Sequence, residues 1–201
     1  MKFKCSLVVS LVIIFSLYNR VCFAQEKTAP PFTIILETID GKKVSTTDLK
    51  LDKEYVILDF WNRGCKPCIV QMNTMADEYN TLVEKGIRVI AISQFPPDSI
   101  ARRLMEKYQW PFEVYFDSSF KLFKKQSPRN ASVPFTVIFN NKWKRIYKQR
   151  GAPVWYKNED GTLSEDRVLK NSAYDANKYS KLESSLEKYY QIIEEDRLKG
   201  E

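Results

Sequence analysis

Apolar and polar positions alternate along this chain in blocks that read as strands and helices. Residues 55–61, "YVILDFW", form a near-continuous apolar run, the pattern of a strand buried on both faces beneath covering helices. Directly after it, Cys68, Met72, Met75, Tyr79 and Leu82 recur at steps of four and three. That spacing predicts a helix with one apolar stripe, ended by Gly86. "IRVIAIS", 87–93, is the next strand. In "PPDSIARRLMEKYQW", Asp98 is the N-cap candidate and Ile100, Leu104 and Tyr108 the apolar face, with Trp110-Pro111 as the stop.

Shorter signals flank this centre. "FTIILETIDGKKVSTTDL" places Asp40-Gly41 between apolar segments, a hairpin signature, with a short helical turn expected at "TTDLK". "FEVYFD" reads as a short strand and "SSFKLFKKQS" as a short helix. "VPFTVIFN", 133–140, and "WKRIYKQRG", 143–151, are strands joined by the tight turn "NN", and so antiparallel. Residues 152–174 are polar and turn-rich. Tyr179, Leu182, Leu186, Tyr189 and Ile193 then space an amphipathic helix of about five or six turns, read as a core-covering helix, with partner docking as the alternative. The order predicts an α/β fold: a central mixed sheet flanked by helices, with an N-terminal β-hairpin, a helix–strand insertion at 97–117 and a long C-terminal helix.

The first 24 residues stand apart. "MKFK" is basic, "LVVSLVIIFSLY" is apolar, and "VCFA" puts small residues before Gln25. This is the order of a secretory signal, and the run is short for a membrane span; an uncleaved anchor is the alternative. A polar linker, 25–31, leads to one domain over 32–201, whose 152–201 portion is the polar loop and C-terminal helix. Loss of the leader takes three positive charges off a net +7. The remainder is mildly basic along its length, which makes no case for nucleic acid.

Loss of the leader also removes Cys5 and Cys22, leaving Cys65 and Cys68 in "WNRGCKPC". There is no histidine, which excludes Ser-His and Cys-His catalysis and histidine metal sites. Two cysteines supply too few ligands for zinc or an iron–sulfur cluster, so no metal is expected. A structural disulfide remains open, although it would close a tiny loop and remove little entropy from the unfolded chain. A redox dithiol has the stronger physical case. Cys65 falls near a helix N-cap and Cys68 in the first turn, where unpaired N–H groups and the helix dipole favour an anion. Arg63 and Lys66 add positive charge, and all of this favours the reactive thiolate at Cys65. Pro67 suits a first turn because its missing N–H costs nothing there.

"LDFWNRGCKPC" resembles the active-site segment of thioredoxin-like proteins, and "VPFTVIF" their cis-proline loop. With the leader, hairpin and insertion, residues 30–151 resemble the exported TlpA/ResA branch. The resemblance implies that Cys65 is the nucleophile that forms a mixed disulfide with a partner, and that Cys68 is the buried resolving thiol. It implies that Asp59, six residues before Cys65, assists proton transfer, with a proton affinity raised by desolvation; a hydrogen-bonded structural acid is the alternative. Pro134 corresponds to the cis-proline, a trans proline at a strand start being the other reading. Val133 would then pair with a substrate strand. Trp61 corresponds to an aromatic that contacts substrate, against simple packing.

The departures bear on tuning. Gly64 replaces a second tryptophan common in relatives and opens the rim. Lys66-Pro67 stands where relatives often have Gly-Pro or Glu-Pro, and a thiolate favoured by Lys66 makes the pair more oxidising. The resemblance therefore implies a periplasmic reductase of disulfide-bearing protein partners, of intermediate strength. It would be recharged by a membrane thiol-transfer electron donor and carry no bound cofactor. A net oxidase or isomerase uses the same cysteines, and a binding module would use the pair only as a rigid staple. A peroxidase lacks support, because no P-x-x-x-T-x-x-C arrangement occurs.

Overall fold

The computed structural model describes residues 29–49, 51–127, 132–151, 154–157, 163–167 and 182–200. The expected leader and most of the expected linker lie outside these residues. Among the described residues no helix is long and apolar enough to cross a membrane.

The architecture grows from the apolar run at 55–61. It forms a strand, β3 (Tyr55–Trp61), with every residue buried. Complete burial requires neighbours on both edges and layers on both faces. The edges are β4 (Ile87–Ser93), parallel, and β6 (Phe135–Asn140), antiparallel. The full order is β2-β1-β5-β4-β3-β6-β7. The hairpin β1 (Ile35–Glu37) and β2 (Lys43–Ser45) joins through β5 (Glu113–Phe116) at one side. The antiparallel β7 (Arg145–Arg150) closes the other. The sheet is mixed, as the sequence pattern predicts.

Turn chemistry behaves locally. Gly41 takes a positive φ of 78° and donates to the Thr38 carbonyl at 2.9 Å, tying the first hairpin. Thr46–Asp48 is a single 3-10 turn capped by Ser45. Asp117 caps the short helix at Lys121–Gln126, its carboxylate accepting from the amides of Lys121 and Phe123.

The stripe after β3 forms two helices rather than one: α1 (Lys66–Asp77) and α2 (Tyr79–Glu84). They meet at Glu78, whose carboxylate receives the Tyr190 hydroxyl at 2.6 Å. The apolar face is continuous across the junction, with Cys68, Met72, Met75 and Leu82 fully buried. Helix α3 (Ser99–Tyr108) starts at Asp98, whose side chain accepts from the Ala101 amide at 2.8 Å. Its buried face is centred on Ala101, with Leu104, Met105 and Tyr108 packed beside it, whereas Ile100 is exposed. Of the predicted face, Leu104 and Tyr108 are packed, and Ala101 takes the place of Ile100.

Side-chain contacts assign the layers. Phe60 and Phe135 point to the face covered by α4 (Lys121–Gln126), where Phe123 packs edge-on against both. Phe139, Trp143 and Phe32 extend that layer. Asp59 and Thr136 point to the opposite face, where they meet Gln71 of α1. The last helix, α5 (Glu187–Gly200), lies on this second face and buries Tyr189 and Ile193.

Two expectations are corrected in the C-terminal quarter. The 152–174 stretch contains strands β8 (Val154–Lys157) and β9 (Leu163–Arg167), and β10 (Leu182–Ser184) precedes α5. They form a second antiparallel sheet in the order β10-β8-β9, with β10 and β8 against α1. The closing helix accordingly starts at Glu187, and its 14 residues make about four turns. Leu182 keeps helical spacing in sequence but is paired with Tyr156 in a strand; Tyr179 lies outside the described residues.

Candidate active site

The motif emerges where β3 ends. The Asn62 carbonyl accepts from the Cys65 amide at 3.0 Å, and its side chain accepts from the Gly64 amide at 2.9 Å. These bonds fold residues 62–65 into a turn that delivers Cys65 to the N-cap of α1. There its Sγ accepts from the Cys68 amide at 3.2 Å. This is the contact a capping oxygen normally makes, and it meets one of the four orphan N–H groups of the helix start. Pro67 occupies the first turn, where no N–H is needed. Cys65 and Cys68 are joined as a disulfide with Cα atoms 5.2 Å apart. Cys65 is half-buried and Cys68 fully buried, so an incoming group can reach only the first sulfur.

The Val133–Pro134 peptide is cis. Because Phe60 pairs with Phe135, Pro134 falls level with Trp61, at the strand end where the motif begins. Its carbonyl accepts from the Gly151 amide at 2.8 Å. Both Val133 and Pro134 are buried.

Asp59 lies beneath, fully buried. Its Oδ1 accepts from Gln71 Nε2 at 2.8 Å and from the Thr136 hydroxyl at 2.9 Å. Burial penalises the carboxylate and the Thr136 bond partly offsets this, so its pKa is pushed up to about 7. Gln71, Thr136 and Tyr189 were not singled out by sequence reasoning. The available signal was a polar residue at a buried phase: Gln71 beside the Cys68–Met72–Met75 stripe, and Thr136 inside "VPFTVIF".

Two expectations change in character. Trp61 is fully buried, its ring packed edge-on to Trp110 with centroids 5.5 Å apart. It supports the floor below the motif and presents no surface to a partner. Arg63 does not aim a lone charge at Cys65: it pairs with Asp98 and its guanidinium lies 4.9 Å above the Phe95 ring. Asp98 therefore does two things, capping α3 and matching Arg63. Replacing it by Ala is expected to cost about 1 kcal/mol of stability through the lost cap. Denaturant unfolding checks it. Gly64 is exposed without a positive φ, and a Cβ there would meet only Asn62 Oδ1, at 3.6 Å. The backbone thus does not demand glycine, and the open rim is a matter of the missing side chain.

A half-buried cysteine and a fully buried one, bridged at a helix start beside a cis-proline, define with this sheet a thioredoxin-like protein carrying a redox-capable pair. Residues 26–144 match the AhpC/TSA family. A thiol-disulfide oxidoreductase ResA of Bacillus cereus is 30% identical over 150 residues, covering 72% of this chain and 83% of the relative. Another, from Bacillus subtilis, is 26% identical over 137 residues, covering 66% and 73%. The solution structure of an uncharacterized thioredoxin-like protein from Porphyromonas gingivalis superposes with a TM-score of 0.52 at 24% identity, over 62% of this chain and 82% of its own. The chain belongs to the AhpC/TSA family.

Proposed function

We propose that this protein is a thiol-disulfide oxidoreductase that reduces disulfides of exported protein partners in the periplasm. The observation that carries the reading is the exposure difference within the Cys65–Cys68 pair at the N-terminus of α1; the ResA relatives support it. In the reduced form, the Cys65 thiolate attacks a partner disulfide, forming a mixed disulfide and releasing one partner thiolate, which takes up a proton. Cys68 gives its proton to Asp59 and attacks Cys65 Sγ. The Cys65–Cys68 bond forms, the mixed disulfide breaks, and the second partner thiolate leaves and is protonated. Two electrons and two protons pass to the partner.

Lys66 and Pro67 tune the pair in this reading, and the cis turn offers the Val133 backbone to an extended partner segment. The leader-like start at residues 1–24 supports export. A membrane thiol-transfer protein would restore the dithiol, since an oxidising compartment supplies no reductant of its own. The test is insulin reduction with dithiothreitol as the electron source. The wild type is expected to accelerate precipitation, and Cys65→Ser to fall to the uncatalysed rate. Equal rates for both, indistinguishable from dithiothreitol alone, would reject the reading and leave a binding module.

A further inference from the structure

Two donors from two elements meet only one oxygen of Asp59, and a residue from a third element stands behind them. Gln71 from α1 and Thr136 from β6 both donate to Oδ1. Tyr189, from α5, donates to Thr136 Oγ1 at 3.1 Å, and its own oxygen lies 3.2 Å from Gln71 Nε2. Gln71 Nε2 also reaches Thr136 Oγ1, at 2.9 Å. All four residues are fully buried. Asp59 Oδ2 has no partner among the described residues, and neither has Gln71 Oε1.

This one-sided arrangement sorts the two oxygens. An oxygen that already accepts two hydrogen bonds is the poorer seat for a proton, so an acid held this way carries its proton on the other. A hydroxyl has one hydrogen and two acceptor positions. At Thr136 the acceptor positions are filled by Tyr189 and Gln71, which directs the single hydrogen to Asp59. Tyr189 therefore acts on Asp59 at one remove. Cys68, one turn before Gln71 on α1, is held in the disulfide and does not titrate in the oxidised protein, and Tyr189 on α5 packs against Tyr147 of β7 with ring centroids 6.1 Å apart. The strand neighbours of Asp59, Ala91 and Thr136, carry no charge.

Helix α5 is also held by contacts outside this cluster. Tyr190 bonds Glu78, Asp196 accepts from Tyr55 and Asn140, and Arg197 pairs with Glu54. Loss of the Tyr189 hydroxyl alone leaves those anchors in place.

We propose that Thr136, Gln71 and Tyr189 are positioning residues for proton transfer at Asp59: Thr136 and Gln71 grip it through Oδ1 and reserve Oδ2 as the proton-carrying oxygen, while Tyr189 orients Thr136 and makes the protonation of Asp59 depend on the seating of the C-terminal helix. The inference rests on the dithiol reading above for its use, though not for its detection. Carbon-13 NMR titration of the Asp59 carboxyl in the oxidised protein follows the group directly, without turnover. Thr136→Val should move its midpoint upward by about one unit, because a donor to the carboxylate is lost, and Thr136→Ser should restore it. Tyr189→Phe should move it in the same direction by less. Tyr190→Phe, which removes a hydrogen bond of the same helix elsewhere, should leave it unmoved. The pH profile of insulin reduction should follow these shifts. An unmoved midpoint in Tyr189→Phe, or an equal shift in Tyr190→Phe, overturns the inference. A wild type that reduces no insulin at any pH defeats the dithiol reading instead, while the carboxyl titration still decides whether the cluster sets Asp59.

Discussion

Asp59→Asn is expected to make the oxidised protein more resistant to urea at pH 8 but not at pH 4. The sign follows from burial. In the folded chain the Asp59 pKa is raised from 3.8 to about 7. Below the unfolded value both states hold the proton, and the folded state suffers no penalty. Between the two values the folded protein keeps a proton that the unfolded chain releases. Stability is therefore lost as pH rises, and the loss is complete above the folded pKa. At roughly 1.4 kcal/mol per unit, this amounts to about 4 kcal/mol. Asparagine never ionises, so it avoids the loss. Its Oδ1 can accept from Gln71 and Thr136 as before, and its amide nitrogen replaces an oxygen without a partner among the described residues. Urea midpoints of both oxidised proteins at the two pH values measure this, and parallel pH dependences would contradict it. The gain in stability should accompany a loss of function, because the proposed cycle has Asp59 accept the Cys68 proton. Positioned acid–base groups contribute on the order of 10² or more, and insulin reduction should fall accordingly.

Cys68→Ser should convert a reagent that turns over into one that stops halfway. Cys65 is half-buried while Cys68 is fully buried, so a partner disulfide can meet only Cys65. A serine hydroxyl has no thiolate with which to attack the resulting mixed disulfide. Turnover is expected to drop to the uncatalysed rate while a covalent adduct of one partner per chain accumulates on non-reducing gels. Cys65→Ser should yield no adduct. Equal trapping by both variants would mean that burial does not assign the roles. In cells the same variant identifies the partner, and recovery only of an oxidising, quinone-linked protein would contradict the direction of electron flow proposed here.

Elements of this fold are legible in the sequence where a signal is short-range. β3 is legible because six of its seven consecutive buried positions are apolar, a run too dense for any exposed segment. The stripe through Cys68, Met72, Met75 and Leu82 was legible because a helix repeats its face every three or four residues. Gly41 and Asp98 marked a turn and a cap through their own backbone chemistry. Features whose partners are remote in sequence are not legible in this way. Leu182 keeps helical spacing with Leu186, but its strand pairing with Tyr156 prevails. Arg63 looked like a charge for Cys65 until Asp98, distant in sequence, took it up.

The cysteine pair, its place between an apolar run and a helix start, and the lack of histidine are properties of the sequence alone, because each depends on residue type and near neighbours. The tertiary structure decided that Cys65 is reachable and Cys68 is not, and that Trp61 supports the site from below. It also brought Gln71 and Thr136 from two separate elements onto one oxygen of Asp59, with Tyr189 from a third bonded to Thr136 behind them. Spacing could not foresee that cluster, because a buried polar group takes its partners from whatever elements the fold brings together.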